Sequence, residues 1–327
     1  MHRDIDAPDT SRRTQTGVVL GIIAATAYSI ANLALRQLSD SGDNGGSGWD
    51  VWVTALKALA TGVSAWVIVL WRHFCGQPVW PPRRVVPALL LAAVVMQFGG
   101  NLCFQIALKY LGLAITVPII FACIICVGAV AGRILLGDPI TTQVMTAMSI
   151  MMVAIVLLSA GTVSESSNEP AEITASEVPI GIGVALISGC SYGLVGVLIR
   201  YFVRSTLAVE SLLIVFSTFG LVSLSVIAIG LSGWNTLQQN TLTDWPMLTL
   251  ASVTNAIAFF AISYALRTID VNRLNVINAS QNAMCAAGAV VLFHEHLSSA
   301  AVAGIVLTIA GLLVLSRGHG VSSRAAE

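Results

Sequence analysis

GVVLGIIAATAYSIANLALR at residues 17–36 lies over GIGVALISGCSYGLVGVLIR at residues 181–200, with Gly17 over Gly181, Ile23 over Ile187, Tyr28 over Tyr192 and Arg36 over Arg200. Further along, Ala107-Leu108-Lys109 pairs with Ala265-Leu266-Arg267. Each copy then leaves an apolar stretch through an acidic exit. These exits are Leu136-Gly137-Asp138-Pro139-Ile140-Thr141 and Phe293-His294-Glu295-His296-Leu297-Ser298. Four identities in twenty carry little alone; the same signals in the same order in both halves mark a duplication. Each copy reads as five membrane spans. An odd number of spans inserts the second copy upside down, which is how many carriers are built.

Composition points the same way. Of the 327 residues 56% are hydrophobic and only 10% charged, with a mean hydropathy of +0.85. So little charge cannot cover a soluble surface, and the class is a polytopic membrane protein. A helix needs about 20 mostly apolar residues to cross the hydrocarbon core. Ten stretches qualify, near 17–35, 51–71, 86–107, 112–132, 142–160, 179–199, 211–232, 246–266, 272–292 and 299–316. None has the two-residue alternation of an outer-membrane barrel. The expected fold is therefore all-α, ten transmembrane helices as two inverted five-helix repeats. The first repeat covers 17–160 and the second 179–317, with an acidic external linker at 161–178 and short cytoplasmic tails at 1–16 and 318–327.

Net charge is zero, so its distribution matters more. With the N-terminus inside, thirteen of the 16 Lys and Arg residues fall in the tails and even-numbered loops, Arg12, Arg13, Arg83, Arg84, Arg200 and Arg204 among them. The odd-numbered loops hold only Arg36 and Lys109, and Lys57 lies within a span. That asymmetry puts both termini in the cytoplasm. The six cysteines sit almost entirely inside spans, so no disulfide framework is expected. Cys123-x-x-Cys126 lies in mid-helix without partner ligands, and His294-Glu295-His296 lacks the one-turn spacing of a zinc helix. Neither calls for a metal, and no cofactor or nucleic acid is implied. There is no nucleophile elbow, phosphate loop or one-face carboxylate pair, which argues against an enzyme.

Polar side chains in hydrocarbon usually face a protein or water-filled interior. Gln97, Asn101 and Gln105 share one stripe of the third span, and Asn275, Asn278 and Asn282 another on the ninth. Tyr28 and Asn32 share a face of the first span, and Ser188 and Tyr192 the matching face of the sixth. Asn255 is the repeat counterpart of Gln97. Two readings fit these stripes: a midplane cavity between repeats, or interhelical hydrogen bonds that hold the bundle together. The cavity reading nominates Tyr28, Asn32, Gln97, Asn101, Tyr192, Asn255, Asn278 and Asn282 as substrate-binding residues. Lys57 reads as an anion contact, a coupling group or a snorkelling side chain. Glu210, placed opposite it in the second copy, reads as a coupling group or a helix-start acid. Asp138 and Glu295 read as helix-start acids too.

The layout resembles the drug/metabolite transporter superfamily and its EamA-type branch in particular. The resemblance is carried by Ala107–Lys109, Ala265–Arg267 and the two exits, which are similar to the family's hydrophobic–Gly–Glu–x–Leu–Thr pattern. Asp138 replaces Glu and is followed by Pro139; His294 replaces Gly. The resemblance implies a ten-helix carrier of the cytoplasmic (inner) membrane. Such carriers export or exchange amino acids and other small metabolites by alternating access, often on a proton gradient. Some relatives carry sugar phosphates or nucleotide sugars, which need several cations; here Lys57 is the reliable one. The expected activity is secondary transport of a small polar or zwitterionic solute, with the bilayer as environment and a homodimer permitted. The rivals are a membrane scaffold or regulatory component, and an enzyme acting on lipid-linked substrates.

Overall fold

The computed structural model describes residues 7–40, 46–166, 178–205, 207–293 and 299–317. Most of the 161–178 linker, the His294–Ser298 part of the second exit and the outer portions of both tails lie outside them. Among the described residues the chain is helical and forms no strand. Helix α1 is Ala7–Asp40, α2 is Gly46–Lys57 and α3 is Leu59–Phe74. Helix α4 (Val86–Val94) runs through a π-helical segment, Val95–Leu102, into α5 (Cys103–Ala131), which ends in a second π-helical turn at Gly132–Leu136. Then come α6 (Thr142–Ser166), α7 (Val178–Ser205), α8 (Val209–Ala265), α9 (Val271–Ala279), α10 (Gln281–Phe293) and α11 (Ser299–Arg317).

Seven stretches of the described residues are long and apolar enough to cross a membrane: Arg12–Leu38, Gly48–Phe74, Val86–Leu113, Ile115–Leu136, Val178–Arg204, Val209–Gln238 and Asp244–Ala265. Thr142–Leu157 and Val302–Val314 are apolar but shorter. The expected span at 272–292 is two pieces, α9 and α10, joined at Ser280. Three buried asparagines in α9, Asn272, Asn275 and Asn278, dilute its apolar character.

Two long helices carry kinks at glycine. Gly112 inside α5 has φ 67° and Gly233 inside α8 has φ 74°, outside the helical region. Positive φ costs a residue with a Cβ, so glycine is the side chain these corners demand. The corner at Gly233 is held from outside, since the Trp52 indole N–H donates to its carbonyl at 3.4 Å. Trp49 beside it is buried and donates to the Leu38 carbonyl at 3.1 Å, tying α2 to the end of α1.

Glycines also bring helices into contact. A Cβ on Gly17 would strike Thr268 and Ile269, and one on Gly181 would strike Tyr110 and Leu111. The struck residues directly follow Ala265-Leu266-Arg267 and Ala107-Leu108-Lys109. Matching glycines thus touch matching residues in the opposite half. On α7, a Cβ at Gly189 would lie 2.6 Å from Cys123 Cβ and 2.7 Å from the Ile120 carbonyl oxygen of α5. Gly183, on the same helix, has open space around it. Gly189→Ala should therefore push α7 off α5 and cost about 1–3 kcal/mol. Gly183→Ala should be neutral or gain up to about 1 kcal/mol of helix propensity. Thermal unfolding of both variants in detergent checks this; equal melting temperatures would refute the close packing.

Candidate functional site

The second membrane stretch is not one helix. Helix α2 stops at Lys57 and α3 starts at Leu59, with Ala58 between them. Such a break frees backbone groups that hydrocarbon cannot satisfy. Two side chains of α8 take them. Ser252 Oγ accepts from Ala60 N at 3.0 Å and lies 3.2 and 3.3 Å from the Leu56 and Lys57 carbonyls, while Asn255 Nδ2 points at the Lys57 carbonyl at 3.5 Å. Gln97 likewise reaches a backbone carbonyl of the other half, though of an unbroken stretch: its Nε2 donates to the Phe216 carbonyl of α8 at 2.8 Å. Gln97 and Asn255 are repeat counterparts, so Phe216, and not Glu210, stands opposite Lys57.

From Gln97 a hydrogen-bonded chain runs inward. Asn101 Nδ2 donates to Gln97 Oε1 at 2.9 Å, and the Tyr192 hydroxyl donates to Asn101 Oδ1 at 2.8 Å. Gln97 and Asn101 sit in the π-helical segment, a distortion that recurs where helices carry function. Serine 188 of the same α7 face donates to the Gly100 carbonyl at 2.9 Å. The chain therefore joins α7, the π-segment and α8 across both halves of the sequence.

These groups border a central cavity of about 140 Å³. Seven of the eight residues nominated as substrate-binding line it: Tyr28, Asn32, Gln97, Asn101, Tyr192, Asn255 and Asn278. Lys57 lines it too, with its Nζ 5.7 Å from the centroid of the Phe104 ring. Asn282 does not; its Nδ2 donates to the Ala279 carbonyl of its own chain segment at 2.9 Å. Glu210 lies elsewhere. Its carboxylate accepts from Arg72 Nη1 at 3.0 Å and from the Tyr264 hydroxyl, so it clamps α3 to both parts of α8. Sequence reasoning had not nominated Thr61, Asn275 or Gln281, which also line the cavity. Asn275 stood in the ninth-span stripe; single residues such as Thr61 give no periodic signal.

Asp138 corrects the helix-start reading. It follows the π-turn at Gly132–Leu136, is buried, and faces Arg200 Nε at 3.1 Å and Nη2 at 3.2 Å. Arg200 also pairs with Asp270 Oδ1 at 2.7 Å and donates to the Leu266 carbonyl at 3.2 Å. Its neighbours Ile199 and Leu266, together with Val271, border the cavity. The ion pairs thus stand behind residues of the cavity wall.

Apolar helices around a central cavity with amide and phenol groups in its wall define an integral membrane protein. Comparison with known proteins gives a family match for the second part of the chain. Residues 179–317 match the EamA-like transporter family, which belongs to the drug/metabolite transporter superfamily. A solved crystal structure, described simply as that of a protein, shares the fold with a TM-score of 0.65 over 96% of this chain and 99% of its own. At 16% identity that likeness speaks for the fold alone. No curated protein matches the sequence at comparable stringency.

Proposed function

We propose that the chain is a secondary transporter that moves a small polar or zwitterionic, amino-acid-like metabolite across the cytoplasmic membrane by alternating access. The observation that carries this is the central chamber, whose amides and phenols come from both halves of the sequence. The matched contacts of Gly17 and Gly181, and of Gln97 and Asn255, support two inverted five-helix repeats with the chamber between them. Three shorter or broken helical stretches would bring the seven long ones to ten passes. The charge asymmetry supports cytoplasmic termini. Rocking of one repeat against the other would open each end in turn. A sugar-phosphate carrier fits less well, because Lys57 is the one cation among the lining residues.

Counterflow in proteoliposomes across a panel of amino acids and other small metabolites tests the proposal. At least one solute should exchange, and it should protect cysteines introduced at positions 101 and 255 from a thiol reagent. If no solute moves and neither cysteine is shielded, the carrier reading falls. Stoichiometric recovery of a partner protein with no transport would favour the scaffold instead.

A further inference from the structure

The chamber is electrically one-sided. Lys57 is 4% exposed and borders the cavity, and among the described residues no carboxylate pairs with it. Its recorded neighbour is the Phe104 ring, which attracts a cation but cannot neutralise one. The nearby acid of α2, Asp50, is already paired with Lys109 at 3.5 Å. Among the described residues no Asp, Glu, Arg or His lines the chamber. Two of its lining residues also carry a side-chain oxygen buried without a hydrogen-bond partner, Asn278 Oδ1 and Thr61 Oγ1.

An isolated ammonium in a low-dielectric interior is costly, and an anion brought to it recovers most of that cost. Lys57 also closes α2 at its C-terminus, where the partial negative charge of the helix end supports a cation but does not replace a counter-ion. An anionic occupant would supply the missing charge and hold the amine in its charged form. One cation accommodates one negative charge, and a second carboxylate or a phosphate dianion would find only amides and phenols. Asn278 Oδ1, an acceptor, calls for a hydrogen-bond donor on the same occupant.

We infer that the chamber takes a small monocarboxylate bearing a hydrogen-bond donor, with the carboxylate on Lys57 and the donor toward Asn278. Free hydroxy acids satisfy this, and a zwitterionic amino acid satisfies it with its carboxylate while bringing a second cation into the chamber; neutral polar solutes, dicarboxylates and phosphate esters do not satisfy it. The inference rests on the carrier reading for its setting and narrows the solute class.

The test uses the purified full-length chain and acid/amide pairs: lactate and lactamide, L-serine and L-serinamide, L-leucine and L-leucinamide, L-phenylalanine and L-phenylalaninamide. Ligand-induced shifts in melting temperature are titrated, with succinate as the dianion. At least one acid should bind, its amide should bind roughly tenfold or more weakly, and succinate should fail. Lys57→Gln should abolish the preference for the acid, and Lys57→Arg should retain part of it. The acid/amide comparison on the native chain stands even where a variant misfolds. An amide that binds as well as its acid, a full response in Lys57→Gln, or no response to any acid overturns the inference. Counterflow separates the two claims: an amide that moves leaves a carrier without the anchor, and an acid that binds without moving leaves the anchor without a carrier.

Discussion

Arg200→Gln is expected to be among the most destabilising single changes in this protein, costing about 3–5 kcal/mol. The guanidinium holds Asp138, Asp270 and the Leu266 carbonyl together, and its side chain and that of Asp138 are 6% and 3% exposed. Removing it leaves a buried carboxylate whose remaining partner is Arg204, at 3.7 Å and half-exposed. Truncating one side of a buried pair is worse than removing both, because the stranded charge keeps its desolvation penalty. Arg200→Met combined with Asp138→Leu should therefore recover part of the loss. Arg204→Gln, which strips a solvent-screened pair, should cost only about 0–1 kcal/mol. Thermal unfolding of the four proteins in detergent orders them. A wild-type melting temperature for Arg200→Gln would show that the cluster bears no strain of the fold.

The second large effect centres on Asn101. It bonds Gln97 on one side and Tyr192 on the other, so Asn101→Leu leaves an amide oxygen and a hydroxyl unpaired. Buried groups stranded this way cost about 1–3 kcal/mol each, although measured values between membrane helices average nearer about 0.6 kcal/mol. We expect about 1–3 kcal/mol in total, and counterflow reduced roughly tenfold or more, because the chamber wall would repack. A double-mutant cycle isolates the bond. Asn101→Ala with Tyr192→Phe should show a coupling of about 0.5–2 kcal/mol, and Asn101→Ala with Asn255→Ala close to none. Equal coupling in both cycles would mean that the bonded chain is not a unit.

The bundle and most of its chamber were legible in the sequence because both rest on local rules. Hydrophobic length gave the helices, and helical angles put Tyr28 with Asn32 and Gln97 with Asn101 on shared faces. The same rule failed at Asn282. Extrapolating from Asn278 assumes one continuous helix, but Ser280 interrupts it, and the phase beyond the break brings Gln281 to the chamber instead. Lys57 and Glu210 were set opposite each other by counting, whereas the carbonyls that Asn255 and Gln97 reach put Phe216 in that place. Asp138 carried no local sign of its role, since Arg200 lies 62 residues away. Pairings of that range come from the fold, and only the register of Arg36 with Arg200 hinted that the arginine mattered.

The interruption at Ala58 has a consequence for how the molecule can move. The carbonyls it exposes are held by Ser252 and Asn255, which belong to the other half of the chain. Sliding the halves along this seam would strand those carbonyls in an oily surrounding, at a cost of several kcal/mol apiece. A small rotation about the same point would keep them satisfied. The seam is thus a fulcrum: leverage passes through it, and the larger excursions belong to the helix ends on either face of the bilayer.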